Sequence, residues 1–322
     1  MDFQLKLAVP LLSKEQVLET LKTRQAPYWP GYHAYFSTWL GGIVTDPALM
    51  LVPMDDHMVH RGDAVFEAIK VATGRIFLLE QHLERLEISA SRIGLKLPFS
   101  LSEIKEIILQ TLRVVKQQQV LIRLFISRGP GSYGTNPADC PASQMYLTVT
   151  SLRSPEPENF EAGVRIGRSQ IPVKDSWMAQ VKSCNYLPNV MMKKESVERN
   201  LHFTVSFDRE NFLAESSTEN IVIVDSEGIL TMPQFQNILK GTTMLRVFDL
   251  AKSKAHLATA QRNISEADLL AAREVMMIGT TLDVLPVTFY ENQKIFDGQV
   301  GPVAKKLRAM LQEDFKLGIP FE

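Results

Sequence analysis

The stretch VKSCNYLPNVMMKKE holds the side chain best suited to chemistry, Lys182. It follows an apolar, strand-like run and precedes a helical pattern marked by Leu187, Val190 and Met191. Its neighbours Val181, Cys184, Tyr186 and Leu187 are apolar or nearly so. Such surroundings strip water from an ammonium and lower its pKa. A neutral amine is what an imine-forming nucleophile must be. The plain alternative is a lysine that snorkels to solvent along its aliphatic stem. Cys184 beside it reads as a small core residue rather than a thiol catalyst.

Other polar groups are spaced along the chain so that they could meet Lys182. Thr242 and Thr243, after Gly241, stand where a helix begins. Free backbone N–H groups, hydroxyls and the helix dipole would favour an anion such as phosphate there, with simple N-capping as the alternative. Gly279-Thr280-Thr281 repeats the pattern at the end of a hydrophobic run, and neither turn is a P-loop because the required lysine is missing. Glu215 in LAESSTEN ends an apolar strand, where it could hold a protonated ring nitrogen or merely stabilise a turn. Arg123 in VLIRLFISRGPG shares a strand face with Leu121 and Phe125, so it needs an anion, either an internal Asp or Glu or a ligand. PMDDHMVHRGD clusters Asp55, Asp56, His57, His60 and Asp63, but the spacing fits no HExxH-like template and no metal site is expected. No G-x-S-x-G elbow occurs, and Gly129-Pro130-Gly131 is the nearest approach to a dinucleotide fingerprint.

The elements that must carry these residues form two halves. A chain of 322 residues suggests two domains, and 45% hydrophobic with 22% charged residues is ordinary soluble composition. A net charge of −1 argues against nucleic acid, and two cysteines supply no disulfide framework, so a reducing, cytoplasmic setting is expected. The opening MDFQLKLAVPLLSKEQ lacks a signal-peptide pattern, and no uncharged apolar run is long enough for a membrane span. SKEQVLETLKTR reads as a peripheral helix capped by Ser13. VFEAIKVATGRIFLL reads as a hairpin turning at Thr73-Gly74, with Leu83, Leu86, Ala90 and Ile93 then recurring at helical steps. SEIKEIILQTLRVV is a second amphipathic helix, with Ser102 placed to cap it. MYLTVTSL closes a first domain over residues 1–150; residues 151–160, SLRSPEPENF, make a linker, and residues 161–322 a second domain. Hairpins dominate that half, which favours an α+β fold with mixed or antiparallel sheets over a doubly wound parallel one.

In this order the motifs resemble the class IV (fold type IV) pyridoxal-phosphate enzymes: branched-chain aminotransferases, D-amino acid aminotransferases and aminodeoxychorismate lyases. The likeness spans roughly residues 30–315 and opens with GDAVFEAIKVATGRIFLLEQHLERL. It implies a two-domain homodimer with pyridoxal 5'-phosphate in the interdomain cleft. On that resemblance Lys182 is the Schiff-base lysine, Arg85 the phosphate-binding arginine and Glu215 the partner of the pyridine nitrogen. Thr243, Thr280 and the backbone of Thr242 match phosphate ligands, and Tyr186 lies near the tyrosine that contacts the cofactor's phenolic oxygen. Arg123 matches an arginine serving substrate carboxylates, and the backbone at Thr280-Thr281 an α-carboxylate site. Glu67 fits the aminotransferase branches, whereas the tight KSCNY spacing is shared by D-amino acid aminotransferases and lyases. Tyr133 and Thr135 stand where the D-specific Arg-x-His would be, and Leu121 replaces a branched-chain tyrosine. The leading expectation is a transaminase acting on amino acid and 2-oxo acid by a ping-pong mechanism. Aminodeoxychorismate lyase and a non-catalytic metabolite-binding module are the alternatives.

Overall fold

The computed structural model describes residues 9–174 and 176–321. The expectation resting on residues 1–8, that they carry no leader, falls outside them. The first sheet is antiparallel, in the spatial order Ile319–Pro320, Arg75–Ile76, Ala64–Ala72, Val120–Ser127, Gln144–Ser151, Tyr32–Ser37 and Gly42–Val44. Its central hairpin turns at Thr73 and Gly74, whose φ values of 51° and 72° give the left-handed turn that suits twisted antiparallel strands. Along strand Ala64–Ala72, Val65, Ile69 and Val71 face the helix Leu79–Arg92, which buries Leu79, Leu83, Leu86 and Ala90 against them. Each such aliphatic side chain contributes about 1.5–3 kcal/mol by leaving water.

Helix Leu101–Arg113 adds Ile104, Ile108 and Leu112 to the same core. Ser100, not Ser102, caps it. The Ser100 hydroxyl accepts from the Glu103 N–H and the Glu103 carboxylate accepts from the Ser100 N–H, while Ser102 lies inside the first turn. Ser13 does cap Lys14–Thr23, through a capping box with Gln16.

The second sheet runs Thr259–Gln261, Leu230–Met232, Asn220–Val224, Glu274–Gly279, Asp283–Tyr290, Val164–Arg168, Phe203–Phe207 and Leu213–Ser216, with Gln293–Lys294 beside Asp283–Tyr290. It is mixed: Val164–Arg168 pairs in parallel with both of its neighbours, and most other ladders are antiparallel hairpins. Leu213–Ser216 also touches Asn220–Val224 at the pair Glu215–Asn220, so six strands close on themselves. Helices Thr242–Ser253 and Pro302–Asp314 pack Val247, Phe248, Leu307 and Leu311 onto this sheet.

Three links hold the two sheets together. The chain beyond Pro302–Asp314 returns to the first sheet, where Ile319–Pro320 pairs with Arg75–Ile76 and Phe321 enters the first core. Lys70 forms a buried ion pair with Asp283 and lies 4.6 Å over the Phe315 ring. The Lys182 stretch is bound to the first sheet, as described below.

The polar run at 55–63 is absorbed by the fold. Asp56 caps the short helix His57–Arg61 and accepts from the hydroxyls of Ser127 and Tyr146. Arg128 grips both oxygens of Asp63 at 3.0 Å, and His57 Nδ1 faces the same carboxylate.

Candidate active site

The approach to Lys182 differs from the sequence expectation. The preceding residues form a short helix, Ser176–Ala179, rather than a strand. Tryptophan and methionine pattern alike in strands and helices over so few residues, and here tertiary packing decides. The stretch is then laid along strand Ala64–Ala72. The Phe66 N–H donates to the Lys182 carbonyl and the Cys184 N–H to the Ala64 carbonyl, both at 2.9 Å. Backbone pairing of this kind fixes where the lysine side chain begins. That side chain is 9% exposed, and its Nζ lies 4.6 Å from the Phe66 ring centre and 3.4 Å from the Tyr186 hydroxyl.

Burial, with the Arg85 cation adding to it, brings the Lys182 ammonium down to about 8, against the opposite pull of Glu67 and Glu215. The amine is therefore largely free just above neutral pH. Burial also raises the Tyr186 phenol and pushes the Cys184 thiol up to about 12, so both keep their protons.

Glu215 comes from the second sheet and lines the same small cavity as Lys182, Tyr186 and Asn189. Its Oε2 accepts the Leu239 N–H at 2.9 Å, and burial raises its pKa. Asn189, on the helix Leu187–Glu198, gives its amide N–H to the Ser217 carbonyl, while its buried Oδ1 has no partner among the described residues.

Arg85 stands at the other end. Its Nε and Nη2 donate to the two oxygens of Glu67 at 2.8 and 2.6 Å, and Nη1 donates to the Lys240 carbonyl at 3.0 Å. Glu67 is fully buried. Burial alone would raise its pKa, but the Arg85 guanidinium holds it at about 2. His82, one turn before Arg85, approaches the same carboxylate through Nδ1 at 2.7 Å, and its Nε2 lies 3.3 Å from the Thr242 hydroxyl. Burial lowers the His82 pKa, so the neutral ring donates from Nδ1 to Glu67 and accepts at Nε2 from Thr242. This network joins the first sheet to the start of helix Thr242–Ser253. That helix begins at Gly241 with no side chain capping it among the described residues, which leaves first-turn N–H groups for an anion.

Asn220 draws three elements together. It pairs with Glu215 and with Ile278 across two ladders, and its side-chain amide donates to the Leu239 carbonyl at 2.9 Å. A Cβ at Gly241 would lie 1.9 Å from Asn220 Oδ1, so only glycine permits this approach. Thr280 and Thr281 occupy the hairpin turn after Glu274–Gly279, and Gly279 backs onto Glu219. This second Gly-Thr-Thr thus starts no helix.

Arg123 lies apart from this group. It is exposed and donates to Thr150 Oγ1 at 3.1 Å, and no carboxylate pairs with it among the described residues. It sits in register with Ala68, on the face where Phe66 stacks on Phe125. The sequence reading passed over His82, Asn189 and Lys174. His82 was detectable in principle, because it lies three residues before Arg85 on one helix face.

Comparison with known proteins agrees with this arrangement. The family model for amino-transferase class IV matches residues 64–290. The chloroplastic D-amino-acid transaminase of Arabidopsis thaliana is 36% identical over 320 residues, covering 97% of this chain and 84% of that protein. A putative branched-chain-amino-acid aminotransferase of Methanocaldococcus jannaschii is 30% identical, covering 85% of this chain and 95% of its own. The crystal structure of a bacterial-type branched-chain amino acid aminotransferase with pyridoxamine 5'-phosphate superposes with a TM-score of 0.82 at 25% identity, covering 88% of this chain and 93% of that one. The chain therefore belongs to the class IV aminotransferases.

Proposed function

We propose that this aminotransferase moves an amino group from an amino acid to a 2-oxo acid in two half-reactions on one pyridoxal 5'-phosphate held at Lys182. The observation that carries the reading is a buried amine with a pKa of about 8 in one cavity with Glu215. The side chains present suit that cofactor. An uncapped helix start with an arginine beside it fits a phosphate, a carboxylate deprived of water fits a protonated ring nitrogen, and the unpartnered Asn189 Oδ1 awaits a donor. Bound there, the cofactor supplies an electron sink for the substrate Cα.

The chain's own groups do the rest. Arg85, Thr243, Thr280 and the Thr242 backbone hold the phosphate by charge-assisted hydrogen bonds. Glu215 keeps the ring nitrogen protonated, and Tyr186 bounds the ring near Lys182. Lys182 Nζ takes the proton from the substrate Cα and returns it on the way back. Arg123 and the Thr281 backbone receive substrate carboxylates. Tight enclosure by Phe66 and Tyr186 excludes water around Lys182.

We assign the cofactor to a cleft between a domain over 1–150 and one over 161–322, joined through 151–160. The enzyme works as a homodimer in the cytoplasm. Support for the dimer comes from Leu187, Val190 and Val197, which are 72%, 58% and 61% exposed on one helix, an apolar face that a second copy would cover. Support for a reducing compartment comes from Cys140 and Cys184, both free thiols. Among the described residues no helix is long and apolar enough to cross a membrane.

The test is a panel of L- and D-amino acids with 2-oxoglutarate, run beside aminodeoxychorismate without an amino acceptor. The expected result is amine exchange that disappears in Lys182→Ala. Pyruvate release from aminodeoxychorismate in the absence of an acceptor would replace the transaminase reading with a lyase.

A further inference from the structure

We propose that Lys174 is a positioning residue of this site: its ammonium, set over the Tyr186 ring, supplies the fixed positive charge beside which Lys182 remains a free amine. The inference rests on the covalent role proposed above for Lys182. Lys174 lies on the segment between strand Val164–Arg168 and the Lys182 stretch, and it lines the same cavity as Lys182, Tyr186, Asn189 and Glu215. Its Nζ is 4.8 Å from the Tyr186 ring centre, and Lys182 Nζ is 5.9 Å from the same centre. One aromatic ring therefore has both lysines within cation–π range.

The charges around Lys182 show what the second lysine does. Arg85 and Glu67 face each other in a two-pronged ion pair, so their fields at Lys182 largely cancel. His82, Tyr186 and Cys184 are neutral. Glu215 remains, a carboxylate that accepts a backbone N–H and no side-chain donor among the described residues, and its field favours a protonated Lys182. Lys174 is the charge placed to offset it, drawn by Glu215 and repelling Lys182. A lysine made nucleophilic by desolvation together with a neighbouring cation is an established chemical strategy.

The test uses the full-length protein freed of cofactor, as wild type, Lys174→Met and Lys174→Arg. Each is mixed with pyridoxal 5'-phosphate across a pH series, and attachment is fixed with borohydride and located by peptide mass spectrometry. The Lys182 Nζ lone pair attacks the aldehyde carbon and water leaves, so the initial rate follows the free-amine fraction. Lys174→Met is expected to move the midpoint of the rate profile upward by about one pH unit and to slow attachment near neutral pH about tenfold. Lys174→Arg keeps the charge and is expected to keep the wild-type profile. An unmoved midpoint in Lys174→Met, or a midpoint in Lys174→Arg displaced as far as in Lys174→Met, overturns the proposal. Lys174 is only half-buried, and if Lys174→Met does not fold, Lys174→Gln takes its place under the same criteria. Absence of attachment at Lys182 in the wild type would instead sink the covalent role itself, a different result from an unmoved profile.

Discussion

The two ends of the site handle charge in opposite ways. At the Arg85 end every charge has a partner: Glu67 is gripped by Arg85 and His82, and His82 reaches on to Thr242. At the Lys182 end, two lysines and a carboxylate share a cavity without a direct ion pair among them, in contact with aromatic rings and backbone. Pairing fixes geometry and makes a rigid cup. Unpaired burial instead leaves protonation balanced near neutral pH, which proton transfer requires. The first end should therefore govern stability, and the second turnover.

The largest effect that would test this contrast is at Lys182. Lys182→Ala removes both the covalent and the proton-moving role, and turnover should fall by at least about 10⁴-fold. Because it also removes an unpaired buried charge, thermal denaturation should show a melting temperature equal to or above the wild type's. A clearly lowered one would mean that this end, too, is structural.

Next comes Glu67→Ala, which strands Arg85 and His82 and should cost roughly 3 kcal/mol in denaturant titration. A loss below about 1 kcal/mol would show that the pairing is not what holds the cup. The same group sets a pH signature. Its folded pKa of about 2 lies below the ordinary 4.5, so the stability it contributes is complete above 4.5 and is lost as pH falls toward 2. Wild type should weaken across that window, and the variant should lose this part of the slope.

The smallest effect belongs to Tyr186→Phe, whose hydroxyl meets Lys182 at a long 3.4 Å. Stability should stay within about 0.5 kcal/mol of the wild type. A larger drop would mean that the ring end is held by that contact and the contrast between the ends is overdrawn.

Much of this could be read in the chain beforehand, and what could be read was local. Thr73-Gly74 announced its hairpin because few residue pairs accept two left-handed φ values in succession. The run Leu83, Leu86 and Ala90 announced a helix by its spacing. The order of Lys182, Glu215 and the two threonine turns pointed to the family before any geometry was known. Features that depend on distant packing stayed hidden. Nothing in GDAVFEAIK says that Glu67 will meet His82, and Ser100 and Ser102 look equally good as caps until the first turn is placed. Arg123 looked buried because its strand neighbours are apolar, yet that face of the strand opens to solvent there. Lys174 carries no motif at all, and its interest comes only from the ring it covers.

Ile319–Pro320 shields the hydrogen-bonding edge of Arg75–Ile76, and Phe321 is wedged among residues of the other half. A protease cut between Asp314 and Gly318 would leave nearly all the chemistry-bearing side chains in place while unlatching this clasp. The bared strand would then pair with strands of other molecules, so nicked protein would disappear as precipitate rather than persist as a sluggish catalyst.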